Sequence, residues 1–189
     1  MSTTLPVRSK EQVRALTEYY YQRGELRNYL LVVMSIHSGL RISDLLHLKW
    51  TDVYDAEADC VRNNVVLVEQ KTKKSKWIAL NKKIRTALEH CLHLARYSEY
   101  LFASRKGGAI GRVQAYRIIR AAAEALNFSQ KVSCHSLRKT FGYLAWKAGI
   151  SPVVIMEIYN HSSFIVTRRY LGLTHDETDE AYHRMAEVV

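Results

Sequence analysis

Apolar residues along most of the chain recur every three or four positions, the spacing of helices that bury one face. Ser9-Lys10-Glu11-Gln12 has the S-x-x-Q form of a capping box, in which a hydroxyl satisfies an open backbone N–H of the first turn. It predicts a first helix running to about Gln22. A second, apolar helix fits Leu26 to His37, ended by Gly39. Ser43 is a suitable N-cap for a short third helix whose apolar face is Leu45, Leu46 and Leu48.

The period then changes. Val61 to Glu69 contains four consecutive β-favouring or apolar residues, Val65 to Val68, and Lys76 to Leu80 is a second short run. A small antiparallel sheet joined by a lysine-rich turn is the natural result. Helical spacing returns from Asn81 to about Tyr97, from Arg112 to Leu126 after Gly107-Gly108, and from His135 to Ala148. Ser151 and Pro152 read as the N-cap and first position of a helix through Tyr159, and two more helical stretches are expected at 164–171 and 176–187. The fold class is mainly α with a small antiparallel β-sheet, an α+β domain. Two prolines and eight glycines leave no flexible linker, and no long internal repeat is present.

Composition narrows the function. With 189 residues, 48% hydrophobic and 24% charged, the chain has an ordinary globular balance, which excludes a disordered or fibrous protein. A formal charge of +10 suits a polyanion, whether DNA, RNA or an anionic membrane surface. That charge is unevenly placed: residues 176–189 carry five acids and one arginine, which leaves 27 bases against 13 acids, or +14, on residues 1–175. The longest unbroken apolar run, Tyr29 to Met34, is far short of the roughly 20 residues that span a bilayer, and no export signal precedes it. Cys60, Cys91 and Cys134 are an odd number without C-x-x-C spacing, which points to a reducing, cytoplasmic setting and away from disulfides or zinc. His90 and His93 have no further ligand nearby in sequence and read as surface residues rather than a metal site.

Displacement at a phosphodiester builds negative charge on the non-bridging oxygens, so the site needs fixed cationic donors, a nucleophile and an acid for the leaving oxygen. The C-terminal third offers such groups in a compact order. His135 and Arg138 are three apart and share a helix face; His161 follows a predicted helix end at Asn160; Tyr170 comes nine residues later. Singly, each has an ordinary surface or packing reading. Their order and spacing carry the signal.

In that order the sequence resembles the tyrosine recombinase family, also called phage integrases. Ser38-Gly39-Leu40-Arg41-Ile42-Ser43-Asp44-Leu45 is similar to the family's first arginine box, and Cys134-His135-Ser136-Leu137-Arg138-Lys139-Thr140-Phe141 to its second. Tyr159-Asn160-His161-Ser162-Ser163, followed by Thr167-Arg168-Arg169-Tyr170, is similar to its third histidine and nucleophile. The interval of 23 residues from Arg138 to His161 is also family-like, and the resemblance covers nearly the whole chain. It implies that Tyr170 attacks a DNA phosphate to give a 3′-phosphotyrosyl link and a 5′-hydroxyl, that Arg41, Arg138 and His161 clamp the non-bridging oxygens, and that His135 assists proton transfer. It further implies no cofactor, metal or ATP, a duplex DNA partner with specific sites, and a homotetramer on DNA formed from a chain that is a monomer alone.

The family carries a proton-donating lysine on a β-hairpin. Counting back from Trp77-Ile78-Ala79-Leu80 favours Lys71, with Lys73 or Lys74 as alternatives; Lys73, Lys74 and Lys76, with Arg112, Arg117 and Arg120, are expected to hold DNA phosphates. Two positions depart from the pattern. Asp44 stands where the family commonly has Glu and is expected, as an accessory, to orient a neighbouring Arg or His; Asn160 stands in place of Gly. Only about nine residues precede the first helix, so the family's amino-terminal DNA-clamping domain is expected to be absent, as in the short fimbrial phase-variation recombinases, whose size and whose 111–120 stretch the chain resembles. Residues 1–175 are then the catalytic domain. Residues 176–189 are an acidic helix whose Ala181, Tyr182, Met185 and Val188 dock on a neighbouring protomer or on their own domain. Type IB topoisomerase-like relaxation and a non-catalytic DNA-binding role are the alternatives on the same fold.

Overall fold

The computed structural model describes residues 4–71, 73–171, 182, 183 and 185, and the apolar stretch at 26–37 is its central helix. That helix, α2 (Leu26–His37), packs against α1 (Lys10–Tyr21), α5 (Lys82–Cys91) and α7 (Cys134–Lys147). Because neighbours cover it on every side, Leu30, Leu31, Val32 and Met34 lose all contact with solvent. Each such side chain contributes about 2 kcal/mol of burial, so Leu31→Ala would destabilise the fold by about 2–5 kcal/mol. Ser9 caps α1, its hydroxyl accepting from the Gln12 N–H at 3.2 Å, but it donates to Glu11 instead of completing the box with Gln12.

After α2 the chain turns at Gly39, whose φ of +63° favours glycine, and whose absent Cβ would lie 2.8 Å from the Phe141 ring. The next helix starts earlier than the sequence suggests. In α3 (Ile42–Leu45) the N-cap is Arg41, with extended backbone, and not Ser43. A helical turn with no counterpart in the hydrophobic pattern follows, α4 (Trp50–Val53), fixed by the Asp52 carboxylate accepting from the Lys49 N–H at 2.8 Å.

Two separate two-stranded antiparallel sheets replace the one expected: β1 (Tyr54–Asp55) with β2 (Cys60–Val61), and β3 (Asn64–Val68) with β4 (Ser75–Ala79). The break lies just after Val61, where the Arg62 N–H turns back to the Val53 carbonyl at 2.8 Å. In the second hairpin Val65 faces Ile78 and Leu67 faces Lys76 across the ladder. The alternate positions Val66, Val68 and Trp77 are exposed, so Lys76 shares the inward face of β4 with Ile78.

The predicted helix from Asn81 is α5, capped by the Asn81 side chain at Ile84 N–H, followed by a 3-10 stretch at Leu92–Arg96. The remaining elements are α6 (Arg112–Ala125), α7, α8 (Pro152–Tyr159) and α9 (Phe164–Leu171), all within a residue or two of their predicted bounds. The helix expected at 176–187, and with it the docking stripe, lies outside the described residues apart from Tyr182, His183 and Met185, of which Tyr182 and Met185 are exposed.

The core is divided. A large cluster surrounds α2, and a small one joins Ala145, Ile155, Tyr159 and Leu171, with Phe141, Trp146 and Tyr170 packed against it. Helix α7 belongs to both, through Leu137 in the first and Ala145 in the second. Among the described residues no helix is long and apolar enough to cross a membrane.

Candidate active site

The polar groups of the three motifs gather where the two cores meet. Thr167 and Leu171, one turn apart on α9, are fully buried, which fixes the rotation of the helix and leaves Tyr170 half-buried beside them. The Tyr170 ring centroid lies 4.5 Å from that of His161, 4.9 Å from His135 and 5.1 Å from Tyr159. The Arg138 guanidinium stands 5.9 Å from the same ring and the Lys139 ammonium 5.5 Å. Helix α7 supplies His135, Arg138 and Lys139, and begins where the Ser133 hydroxyl accepts from the Ser136 N–H at 3.2 Å.

His161 is placed by a helix end. Asn160 adopts the left-handed conformation (φ 54°, ψ 47°), and the His161 N–H closes back on the Met156 carbonyl at 3.1 Å. Its Nδ1 lies 3.0 Å from Oγ1 of Thr167. With the threonine hydroxyl as donor, the ring proton sits on Nε2, the nitrogen left to donate to an anion.

Two arginines converge on one carbonyl. Arg138 Nη2 donates to the Tyr159 carbonyl at 3.2 Å and Nη1 to the Gly39 carbonyl, while Arg41 Nη2 reaches the Tyr159 carbonyl at 3.4 Å. Burial and the nearby Arg41 weaken the hold of Arg138 on its proton. Burial, and after it Arg138, Arg41, His135 and Lys76, push His161 down to about 4; burial, with Lys139 and Arg138, lowers His135 as well. Burial first, and the surrounding positive charge second, thus disfavour the protonated form of both imidazoles.

Of the hairpin lysines, the one drawn inward is Lys76. Lys71, Lys73 and Lys74 are exposed in the turn. Lys76, expected to hold DNA phosphates, is drawn inward: its Nζ donates to the Ile158 carbonyl and lies 3.7 Å from Glu69. Burial, then Arg138, lower its pKa, against the opposing pull of Glu69. Asp44, expected to orient an Arg or His, is seen here on the hairpin backbone. Its Oδ1 accepts from the Gln70 N–H at 2.9 Å, so it ties α3 to the hairpin, and the carboxylate that meets Arg41, at 2.7 Å, is Glu69. Of the α6 arginines, Arg112 and Arg117 are exposed, whereas Arg120 is engaged on its own helix by Glu124 at 2.5 Å and Tyr116 at 3.0 Å.

Glu69, Tyr159, Thr167 and Lys139 join the site without being expected there. Glu69 carries a legible signal, since it continues the inward phase of Val65 and Leu67 with a charge where a strand core wants an apolar side chain. Thr167 and Lys139 carry none, because their roles depend on helices that meet only in three dimensions.

Comparison with known proteins identifies the family. Residues 7–177 match the sequence model of the phage integrase family. The chain is 35% identical over 183 residues to the probable integrase/recombinase YoeC of Bacillus subtilis, covering 96% of this chain and 97% of that protein. It is 26% identical to the tyrosine recombinase XerD of Corynebacterium glutamicum over 84% of this chain but only 52% of that protein, so it spans about half the length of such relatives. In structure it is similar to the XerA recombinase, with a TM-score of 0.79 at 24% identity, over 97% of this chain and 66% of the other.

Proposed function

The chain belongs to the phage integrase family as a tyrosine recombinase catalytic domain, an enzyme of site-specific DNA recombination, and from that premise we propose that Tyr170 is its nucleophile. The observation that carries this reading is the packing of one half-buried tyrosine ring against two histidines and an arginine. In the proposed reaction the Tyr170 oxygen forms a bond to phosphorus, losing its proton to His135 or solvent, and the bond from phosphorus to the 5′-oxygen breaks. Arg41, Arg138 and His161 hold the non-bridging oxygens, whose charge grows in the transition state. Lys71 supplies the proton to the departing 5′-oxygen.

Ordinary tyrosine has a pKa near 10, so about one molecule in a thousand is ionised at neutral pH. A cationic site is what makes such a nucleophile usable. The phosphotyrosyl bond stores the energy of the broken linkage, so a 5′-hydroxyl from a second duplex can reverse the step without ATP or metal. Strand exchange between duplexes requires more than one copy, and a tetramer on paired DNA sites is the assembly we propose.

A nicked suicide duplex, which traps the covalent adduct, tests the reading. Adduct is expected with wild type in EDTA without nucleotide, and Tyr170→Phe should abolish it while sparing duplex binding. Persistence of adduct in that variant would reject the assignment. New joints between paired sites would mark recombination, and relaxation alone would mark a topoisomerase.

A further inference from the structure

Glu69 is the most buried charged group in the site, 1% exposed, and it holds cations on two sides. One carboxylate oxygen meets Arg41 Nη1 at 2.7 Å and Lys76 Nζ at 3.7 Å; the other accepts from the Asn160 side-chain amide at 3.2 Å. Partners such as these compensate the lost hydration of so deeply buried a carboxylate.

Each partner leads to a different part of the machinery. Arg41 bears on the proposed phosphate site; Asn160 is the left-handed residue directly before His161; Lys76 reaches the Ile158 carbonyl at the end of the same helix. Glu69 itself lies directly after β3, two residues before Lys71. Asp44 is engaged by the hairpin backbone at Gln70.

We propose that Glu69 is a positioning residue for strand cleavage, its carboxylate fixing the Arg41 guanidinium and, through Asn160, the corner that carries His161. This inference rests on the proposed function above. Glu69 touches no reacting atom. It acts by limiting where Arg41 can point, and a misplacement of about 1 Å at a phosphate clamp can cost about a hundredfold in rate.

The carboxylate also carries a negative charge next to the place a phosphate would occupy, so losing it cannot weaken the electrostatic attraction of DNA. Rate and affinity should therefore separate. In Glu69→Gln, adduct formation on the suicide duplex at saturating DNA is expected to fall about tenfold to a hundredfold, with duplex affinity unchanged or tighter. Asn160→Gly keeps a left-handed backbone without the amide, so it should show a smaller loss, and the double variant should be no slower than Glu69→Gln alone. Side-chain nitrogen NMR of the DNA-free protein gives a readout independent of chemistry: slow rotation of the Arg41 guanidinium in wild type and fast rotation in Glu69→Gln. Equal rotation in the two proteins, a cleavage rate unchanged to within about twofold, or a parallel loss of rate, affinity and Tm would overturn the proposal. Wild type that formed no adduct would count against the proposed function, and the NMR comparison would still decide the role of Glu69.

Discussion

Tyr159 and Arg138 grip each other from both ends: the Tyr159 hydroxyl donates to the Arg138 carbonyl at 2.5 Å, while the Arg138 side chain donates to the Tyr159 carbonyl at 3.2 Å. The guanidinium lies over the tyrosine ring, 4.5 Å from its centroid. This closed loop joins α7 to the end of α8, and Tyr159 in turn packs on His161 and Tyr170. Burial raises the pKa of Tyr159 well above the usual tyrosine range, so its hydroxyl remains a donor at any ordinary pH.

The loop leaves no room at Gly142, where a Cβ would lie 2.5 Å from the Tyr159 hydroxyl and 2.9 Å from the ring. Gly142→Ala is expected to cost about 1–3 kcal/mol through overpacking, and Tyr159→Phe about 1–2 kcal/mol through the lost buried hydrogen bond. The two changes share one contact, so the double variant should lose less than the two single losses combined. Urea unfolding of the three variants checks both the magnitudes and the coupling.

His161 gives the site a pH dependence whose sign is fixed. Its pKa falls from 6.5 to about 4 on folding, so within that window the unfolded chain binds a proton that the folded chain refuses. The stability it contributes is present above pH 6.5 and is lost as pH falls towards 4. His135 and His37, both lowered chiefly by burial, act in the same direction. Tm should decline across this window, and less steeply in His161→Asn. A phosphodiester held as proposed would raise the pKa of His161, so duplex affinity should increase as pH falls through the same range, again less in the variant.

Much of this architecture is legible in the sequence. Periodicity places α2 and α9 at their observed bounds, because both are set by local signals, a glycine stop in one case and a short apolar-faced run in the other. The order of Arg41, His135, Arg138, His161 and Tyr170 is readable because each lies in a short motif. The split between the sheets is not, since Val61 and Val65 look alike in sequence and the break depends on Arg62 bonding to Val53. The partner of Arg41 is likewise hidden. A carboxylate three residues along the chain competes with one 28 residues away, and only the hairpin register makes Glu69 the one that reaches.

The basic surface should hold DNA unevenly. Among the described residues Arg112 and Arg117 make no side-chain ion pair within their helix, whereas Arg120 is committed to Glu124 and Tyr116. Each arginine that neutralises a phosphate contributes about 0.9 to the slope of log affinity against log salt. Arg112→Ala and Arg117→Ala are each expected to reduce the slope by about that amount, and Arg120→Ala by clearly less. Titrations of a fluorescent duplex at several salt concentrations measure it.

Lys71 and Lys76 divide the roles that a hairpin lysine can have, and a change of leaving atom separates them. If Lys71 gives its proton to the departing 5′-oxygen, Lys71→Ala should slow adduct formation by about 10²–10⁴-fold. Replacing that bridging oxygen with sulfur makes the leaving group a thiolate, which departs without a proton, so the same variant should recover on the sulfur substrate. Lys76 is bound to the Ile158 carbonyl and paired with Glu69, so its loss should loosen the clamp whichever atom leaves. Lys76→Ala is therefore expected to be slow on both substrates. Recovery of Lys76→Ala on sulfur, with none for Lys71→Ala, would transfer the proton donor from the exposed turn to the buried strand position.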